Sequence, residues 1–160
     1  MVDVLSHALW SFIAFRKKAE KWDIKRAVFF GILPDLFSWT IYLFYLLING
    51  FKVIGKPPLE NVPEWVFTLY GITHSLIIFG FVVLILFIIK RKVPVYIFAW
   101  ALHILIDIPT HSREILPTPF LWPISGWQFP GVSWGTPWLF ALNWGLLIGI
   151  LVYIALKRRK

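Results

Sequence analysis

Charged and uncharged positions are segregated into long blocks along this chain. Residues 65–89 and 137–156 carry no Asp, Glu, Lys or Arg, and residues 27–48 carry only Asp35. Each block is about 20 residues or longer, enough as a helix to cross roughly 30 Å of hydrocarbon at 1.5 Å per residue. A fourth run, residues 93–108, is shorter and closes on Asp107. A fifth, residues 2–15, is short for a full span and suits a half-buried or tilted helix. The pattern predicts an all-α integral membrane protein: a single domain over residues 1–160, built as a bundle of about five hydrophobic helices. Two segments break the pattern. Residues 49–65 hold Gly50, Gly55, Pro57, Pro58 and Pro63, with Pro63 and Glu64 suited to open the next helix. Residues 109–138 are dense in Pro, Gly and Trp. Both are expected on the outer side. In the second, Trp122, Trp127, Trp134 and Trp138 suit the headgroup region as an anchor, and the length of the loop also fits a lid.

The basic residues set the orientation. Arg16, Lys17, Lys18, Lys21, Lys25 and Arg26 lie between the first two apolar runs, Lys90, Arg91 and Lys92 between the third and fourth, and Lys157, Arg158, Arg159 and Lys160 at the C-terminal end. In an alternating topology all three clusters fall on one side. The positive-inside rule then places the N-terminus outside and the C-terminus in the cytoplasm. The net charge of +8 is accounted for by topology and contact with anionic lipid, without a nucleic-acid partner. Composition agrees: 59% of residues are hydrophobic and 19% aromatic, against about half apolar in a soluble domain. The N-terminal run lacks a basic start and is interrupted by Asp3 and His7, so it is expected to stay in the mature chain. The absence of cysteine removes disulfide and thiolate chemistry.

Against this background a few polar groups stand out: Asp3, His7, Asp35, His74, His103 and Asp107, with His111 just beyond. All four histidines of the chain are among them. A charge at mid-bilayer costs several kcal/mol even on gentle scales, so such groups face the protein interior and find partners. His103 and Asp107 are spaced i, i+4 and project from one helix face, as do Asp3 and His7. Asp35 follows Pro34 in "GILPDLF", where the missing backbone N–H and the slack at Gly31 predict a kink that turns Asp35 inward. Counted from the basic end of each helix, His7, Asp35 and His103 lie roughly 13 to 17 Å deep. His74 and Asp107 fall further toward the outer face. Four helices thus offer His or Asp in one layer, predicting a polar site between the helices in the outer half of the membrane. Imidazole nitrogen and carboxylate oxygen are ligands that suit zinc or manganese.

Other chemistries lack their signatures. There is no His-Glu-x-x-His, no Gly-x-Ser-x-Gly and no phosphate-binding glycine loop. Two aspartates acting alone would leave four histidines unexplained. Metal-activated water is the economical alternative.

The segments "SHALW", "GILPDLF", "GITHSL", "HILIDIPTH" and "LWPIS" occur in the order seen in the YdjM-like family of membrane-bound metal-dependent hydrolases, which the chain resembles over most of its length. That family is itself similar to the zinc-dependent phospholipase C group. The resemblance implies His7, Asp35, His74, His103 and Asp107 as metal ligands. Three positions depart from the family pattern: Phe37 stands where a second acid is common, and Leu69 and Tyr70 stand where His-Arg is common.

The main expectation is therefore a membrane hydrolase that uses one or more divalent ions, zinc foremost, on a phosphoester of a lipid. Asp35 and Asp107 are the candidate catalytic carboxylates, with Asp35 placed to bridge ions or orient water. Asp3 and His111 are additional candidate ligands, and Arg113 a candidate phosphate contact. Two rival classes remain. One is an ion, proton or metal transport component, since intramembrane His and Asp also build such pathways. The other is a non-catalytic membrane protein whose polar groups only lock helices together.

Overall fold

The computed structural model describes residues 2–17, 21–50, 59–114 and 116–157, without the side chains of residues 2, 3, 21 and 22. These residues form helices and loops, with no strand among them. Helix α1 spans Val2–Phe15 and α2 Lys21–Asp35; a π turn, Leu36–Thr40, joins α2 to α3, Ile41–Ile48. Helix α4 is Glu64–Thr73, α5 is Leu76–Lys90, α6 is Phe98–Thr110 and α7 is Pro137–Lys157. Pro63 and Glu64 do open α4, and Pro137 opens α7, where a missing N–H costs nothing.

Two of the apolar runs become helices long and apolar enough to cross a membrane: Asp23–Ile48, of 26 residues, and Pro137–Lys157, of 21. The uncharged run 65–89 does not form one straight helix. It bends by 52° between α4 and α5, so this pair is either one broken span or a re-entrant element. The two remaining runs give shorter apolar helices, Val4–Phe15 and Val95–Thr110. The expected five helical segments are thus present, but only two or three of them qualify as spans.

The feature expected at Pro34 takes a milder form than a kink. Without an N–H, Pro34 leaves the Phe30 carbonyl without its usual donor. The ladder continues as α-helix to Asp35, slips into the π turn, and resumes as one 26-residue helix. Ser38 Oγ donates to the Pro34 carbonyl at 2.8 Å, satisfying one of the displaced acceptors. π turns inside helices commonly mark functional positions, and this one begins at the residue after Asp35.

Helices α1, α2 and α6 pack together and carry most of the polar cluster. The α1–α2 approach depends on Gly31: a Cβ there would collide with the Ser11 side chain. Behind α6, Phe79, Ile97, Trp100 and Ile104 form an apolar core with Phe30 and Leu76. A second core of Tyr42, Val62 and Val66 holds the π turn and α3 against α4. Helix α7 touches α1, where Asn143 Oδ1 accepts from Trp10 Nε1 at 2.8 Å and Asn143 Nδ2 donates to Ser6 Oγ at 3.0 Å. Large apolar side chains dominate the outward faces of α3, α5 and α7, as expected where hydrocarbon is the solvent.

The break between α4 and α5 leaves backbone groups that apolar surroundings cannot satisfy, at several kcal/mol each if left unpaired. Side chains and a loop supply the partners. Ser75 Oγ caps α5, accepting from the Ile77 and Ile78 N–H groups at 3.1 Å each, and itself donates to the Trp122 carbonyl. The Leu76 N–H donates to the Phe120 carbonyl at 2.9 Å, and Trp100 Nε1 donates to the Thr73 carbonyl at 2.6 Å. The loop after α6 is therefore not simply an outer anchor. Its middle is docked into the break, with Leu116 and Thr118 buried and the Trp122 ring over Gly71. Its far end folds back on α6 through Val132 N–H to the Pro109 carbonyl and Trp134 N–H to the Thr110 carbonyl. Gly131 sits so close to this turn that a Cβ would lie 2.5 to 2.8 Å from three carbonyl oxygens. Trp127 and Trp138 remain exposed, as an interfacial anchor requires.

Two substitutions test this packing by thermal melting in detergent. Gly31→Ala is expected to lower stability by about 1–3 kcal/mol through overpacking of α1 on α2. Ser75→Ala is expected to cost roughly 1–2 kcal/mol by uncapping α5.

Candidate metal centre

The six polar residues that the hydropathy pattern singled out after Asp3 come together in one cluster. His7 arrives from α1, Asp35 from the end of α2, His74 from the break after α4, and His103 and Asp107 from successive turns of α6. His111 follows at the end of α6. His7, His74, His103 and Asp107 are at most 1% exposed. The side chain of Asp35 is 15% exposed and forms the accessible edge of the cluster.

Asp107 occupies the centre. Its Oδ2 lies 3.1 Å from His103 Nε2 and 3.5 Å from His74 Nε2. Its Oδ1 lies 3.0 Å from His7 Nε2 and 3.5 Å from His111 Nδ1. Asp35 Oδ1 stands 3.7 Å from His74 Nε2 and 3.9 Å from His103 Nε2. The i, i+4 spacing of His103 and Asp107 brings the pair onto one face, as the sequence predicts.

Backbone carbonyls fix two of the histidines. His103 Nδ1 is 2.7 Å from the Gly31 carbonyl, and His74 Nδ1 is 3.2 Å from the Tyr70 carbonyl. A carbonyl only accepts, so each Nδ1 carries the proton and donates it. Thr73 Oγ1, itself a donor to the Leu69 carbonyl at 2.9 Å, accepts from His74 Nδ1 at 2.9 Å. In neutral imidazoles both Nε2 atoms then present lone pairs, and these face each other across 3.2 Å. Two lone pairs at that separation repel unless a cation lies between or beside them. Such Nδ1–H to carbonyl bonds are the outer contacts that orient metal-binding histidines.

The spacing fits a metal ion. Ligand atoms bonded at about 2.0–2.1 Å in a tetrahedron stand roughly 3.3–3.4 Å apart. The triangle formed by His74 Nε2, His103 Nε2 and Asp107 Oδ2 has edges of 3.1, 3.2 and 3.5 Å. Asp35 Oδ1 lies further out, 3.7 and 3.9 Å from the Nε2 atoms of His74 and His103, at the edge of this triangle. A second group of potential ligand atoms, from His7, Asp35 and His103, lies within 4.8 Å of one another.

Other positions fall elsewhere. Arg113 donates to the Gln128 carbonyl at 2.8 and 3.3 Å and ties the loop together instead of entering the cluster. Asp3 is in α1, but its side chain lies outside the described residues. Phe37 is 51% exposed and directed away from the cluster. Tyr70 is buried with its ring tilted by 32° against His74, at 3.9 Å between centres. The supporting groups that sequence reasoning missed are Gly31, Tyr70 and Thr73. The roles of Gly31 and Tyr70 run through backbone carbonyls, which leave no side-chain signature. Thr73, adjacent to His74 in "GITHSL", was the one such group a residue pattern could have flagged. No family model matches the chain, and no curated protein and no solved structure matches it, so its chemistry is read from this geometry.

Proposed function

We propose that the chain is an integral-membrane, metal-dependent hydrolase that cleaves a phosphoester of a lipid or lipid-linked substrate. The observation that carries the reading is the His74–His103–Asp107 triangle, with tetrahedral edge lengths and both histidines oriented from behind by carbonyls. Zinc is the ion this donor set suits best, with manganese the alternative. A divalent ion held there would activate water and offset charge on a phosphoryl oxygen.

The protein's own groups have separate tasks in this scheme. His74, His103 and Asp107 hold the ion in a pocket from which solvent is excluded. Asp35, at the accessible edge, accepts a proton from water and orients it toward the substrate. The polar position within apolar helices favours a substrate that itself resides in the membrane. Depth supports an outer-half site: α4 covers about 15 Å from Glu64 to the break at His74, whereas α5 covers about 22 Å from there to basic Lys90. With the basic clusters inside, the C-terminus is cytoplasmic.

Elemental analysis of the detergent-purified chain is the direct test. Stoichiometric zinc or manganese is expected in the wild type and its loss in the His103→Ala/Asp107→Ala double variant; metal-free wild type after reconstitution would refute the reading. On phospholipid substrates, Asp35→Asn is expected to reduce turnover by about 10²-fold or more, measured as product release from mixed micelles. Unchanged turnover would remove Asp35 from the chemistry.

A further inference from the structure

Helix α7 packs chiefly on α1, and beside that contact α1, α6 and α7 line a groove of about 160 Å3. Ser6 and Ile106 form part of its wall, each one position and about 100° of helix from His7 and Asp107. The groove is therefore separate from the metal centre, and none of its lining side chains is charged. Leu142 and Leu146 stay half-exposed at its edge, so it opens sideways onto hydrocarbon. Its two ends differ. Thr110 and Trp134 lie toward the outer loop, and Ile106 and Leu146 lie further in. Between them stands Asn143, six residues and about 9 Å along α7 from Pro137. An indole N–H only donates, so the Asn143 atom 2.8 Å from Trp10 Nε1 is the carbonyl oxygen Oδ1. Nδ2 then faces Ser6 Oγ, to which it donates at 3.0 Å. A primary amide carries a second N–H, and among the described residues that one has no acceptor. In hydrocarbon an unmatched donor is costly, and this one belongs to a side chain that lines the groove.

We infer that this groove binds one acyl-ester arm of a bilayer phospholipid, with the ester carbonyl accepting from Asn143 Nδ2. Three observations converge on that occupant. The groove opens on the side of a helix long and apolar enough to span a membrane, where acyl chains are the solvent. Its polar group sits between an outer end beneath the Trp-rich loop and an inner end of aliphatic side chains, the order in which a lipid presents ester and methylenes. Its volume is close to that of an apolar cavity of about 150 Å3 that takes up benzene, so it accepts the ester and the first methylenes while the rest of the chain stays in the bilayer. The lipid would touch α1, α6 and α7 together and so add to the hold of α7 on the bundle. With no charged side chain in the wall, recognition rests on the ester and the chain, not on the headgroup. The inference needs only the membrane setting and is independent of the metal centre.

Dioleoyl phosphatidylcholine is the probe, because its zwitterionic headgroup gives the basic clusters little to attract. The full-length chain in detergent is stripped with chelator, so that no metal-dependent cleavage consumes the lipid. It is then titrated and followed by native mass spectrometry and thermal melting. One lipid per chain is expected to bind saturably, with the melting temperature rising to a plateau. The diether analogue keeps the chains and headgroup but lacks the ester carbonyls. It is expected to bind about fivefold more weakly, the worth of one ordinary hydrogen bond. Leu146→Trp, which fills the inner end of the groove, is expected to lose both the bound lipid and the plateau. Equal binding of the diester and diether lipids would overturn the bond from Asn143, and undiminished binding by Leu146→Trp would overturn the groove as the site. Graded uptake of many lipids without saturation would show annular lipid only and overturn the inference. If Leu146→Trp does not fold, the wild-type titrations with the two lipids decide alone.

Discussion

A carboxylate buried to 1% exposure among apolar helices must be surrounded by donors or by a cation. All four histidines of the chain surround Asp107, each with a ring nitrogen within 3.5 Å of one of its oxygens, and since His74 and His103 commit their Nδ1 protons to backbone carbonyls, the Nε2 atoms that face Asp107 suit a shared cation. The rest of the architecture follows from bringing those histidines in. Helix α1 must lie close enough to α2 and α6 for His7 to reach, which is why Gly31 faces Ser11 without a side chain. The same glycine turns its carbonyl to His103. One residue thus permits the helix contact and orients His103.

The second structural commitment is the break between α4 and α5. An unbroken helix over residues 64–90 would keep every backbone group satisfied within itself. The break gives that up in order to place His74 at the cluster, at the point where the chain changes direction by 52°. Its cost is met by groups from far along the sequence: the Ser75 cap, the Trp100 indole and the carbonyls of Phe120 and Trp122. The Pro- and Trp-rich loop is consequently part of the support for the site, and its conformation is tied to the position of His74.

Asp35 differs from the other members. It comes from the turn where Pro34 and the π segment disturb the helix ladder, and it keeps contact with the surroundings. In the proposed hydrolase the enclosed triangle would hold the ion, and the accessible carboxylate at its edge would meet substrate and water. The outward Phe37 places an apolar side chain on an apolar exterior, and the inward Tyr70 packs its ring at a tilt against His74 in the interior.

Much of this was legible in the sequence because hydrocarbon is an unforgiving solvent. Uncharged runs of about 20 residues have few alternatives to helix, and His or Asp within them must turn inward. On those grounds alone His7, Asp35, His74, His103 and Asp107 were assigned to one layer, and the i, i+4 spacing put His103 and Asp107 on one face. The tertiary structure decided what periodicity does not encode. Hydropathy counts residues and is blind to backbone continuity, so the uncharged run 65–89 read as one span although it breaks at His74. The docking of residues 116–124 into that break depends on carbonyl groups, which every residue possesses and no pattern reveals. The orientation of the histidine rings around Asp107 is settled only when three helices and a chain break converge.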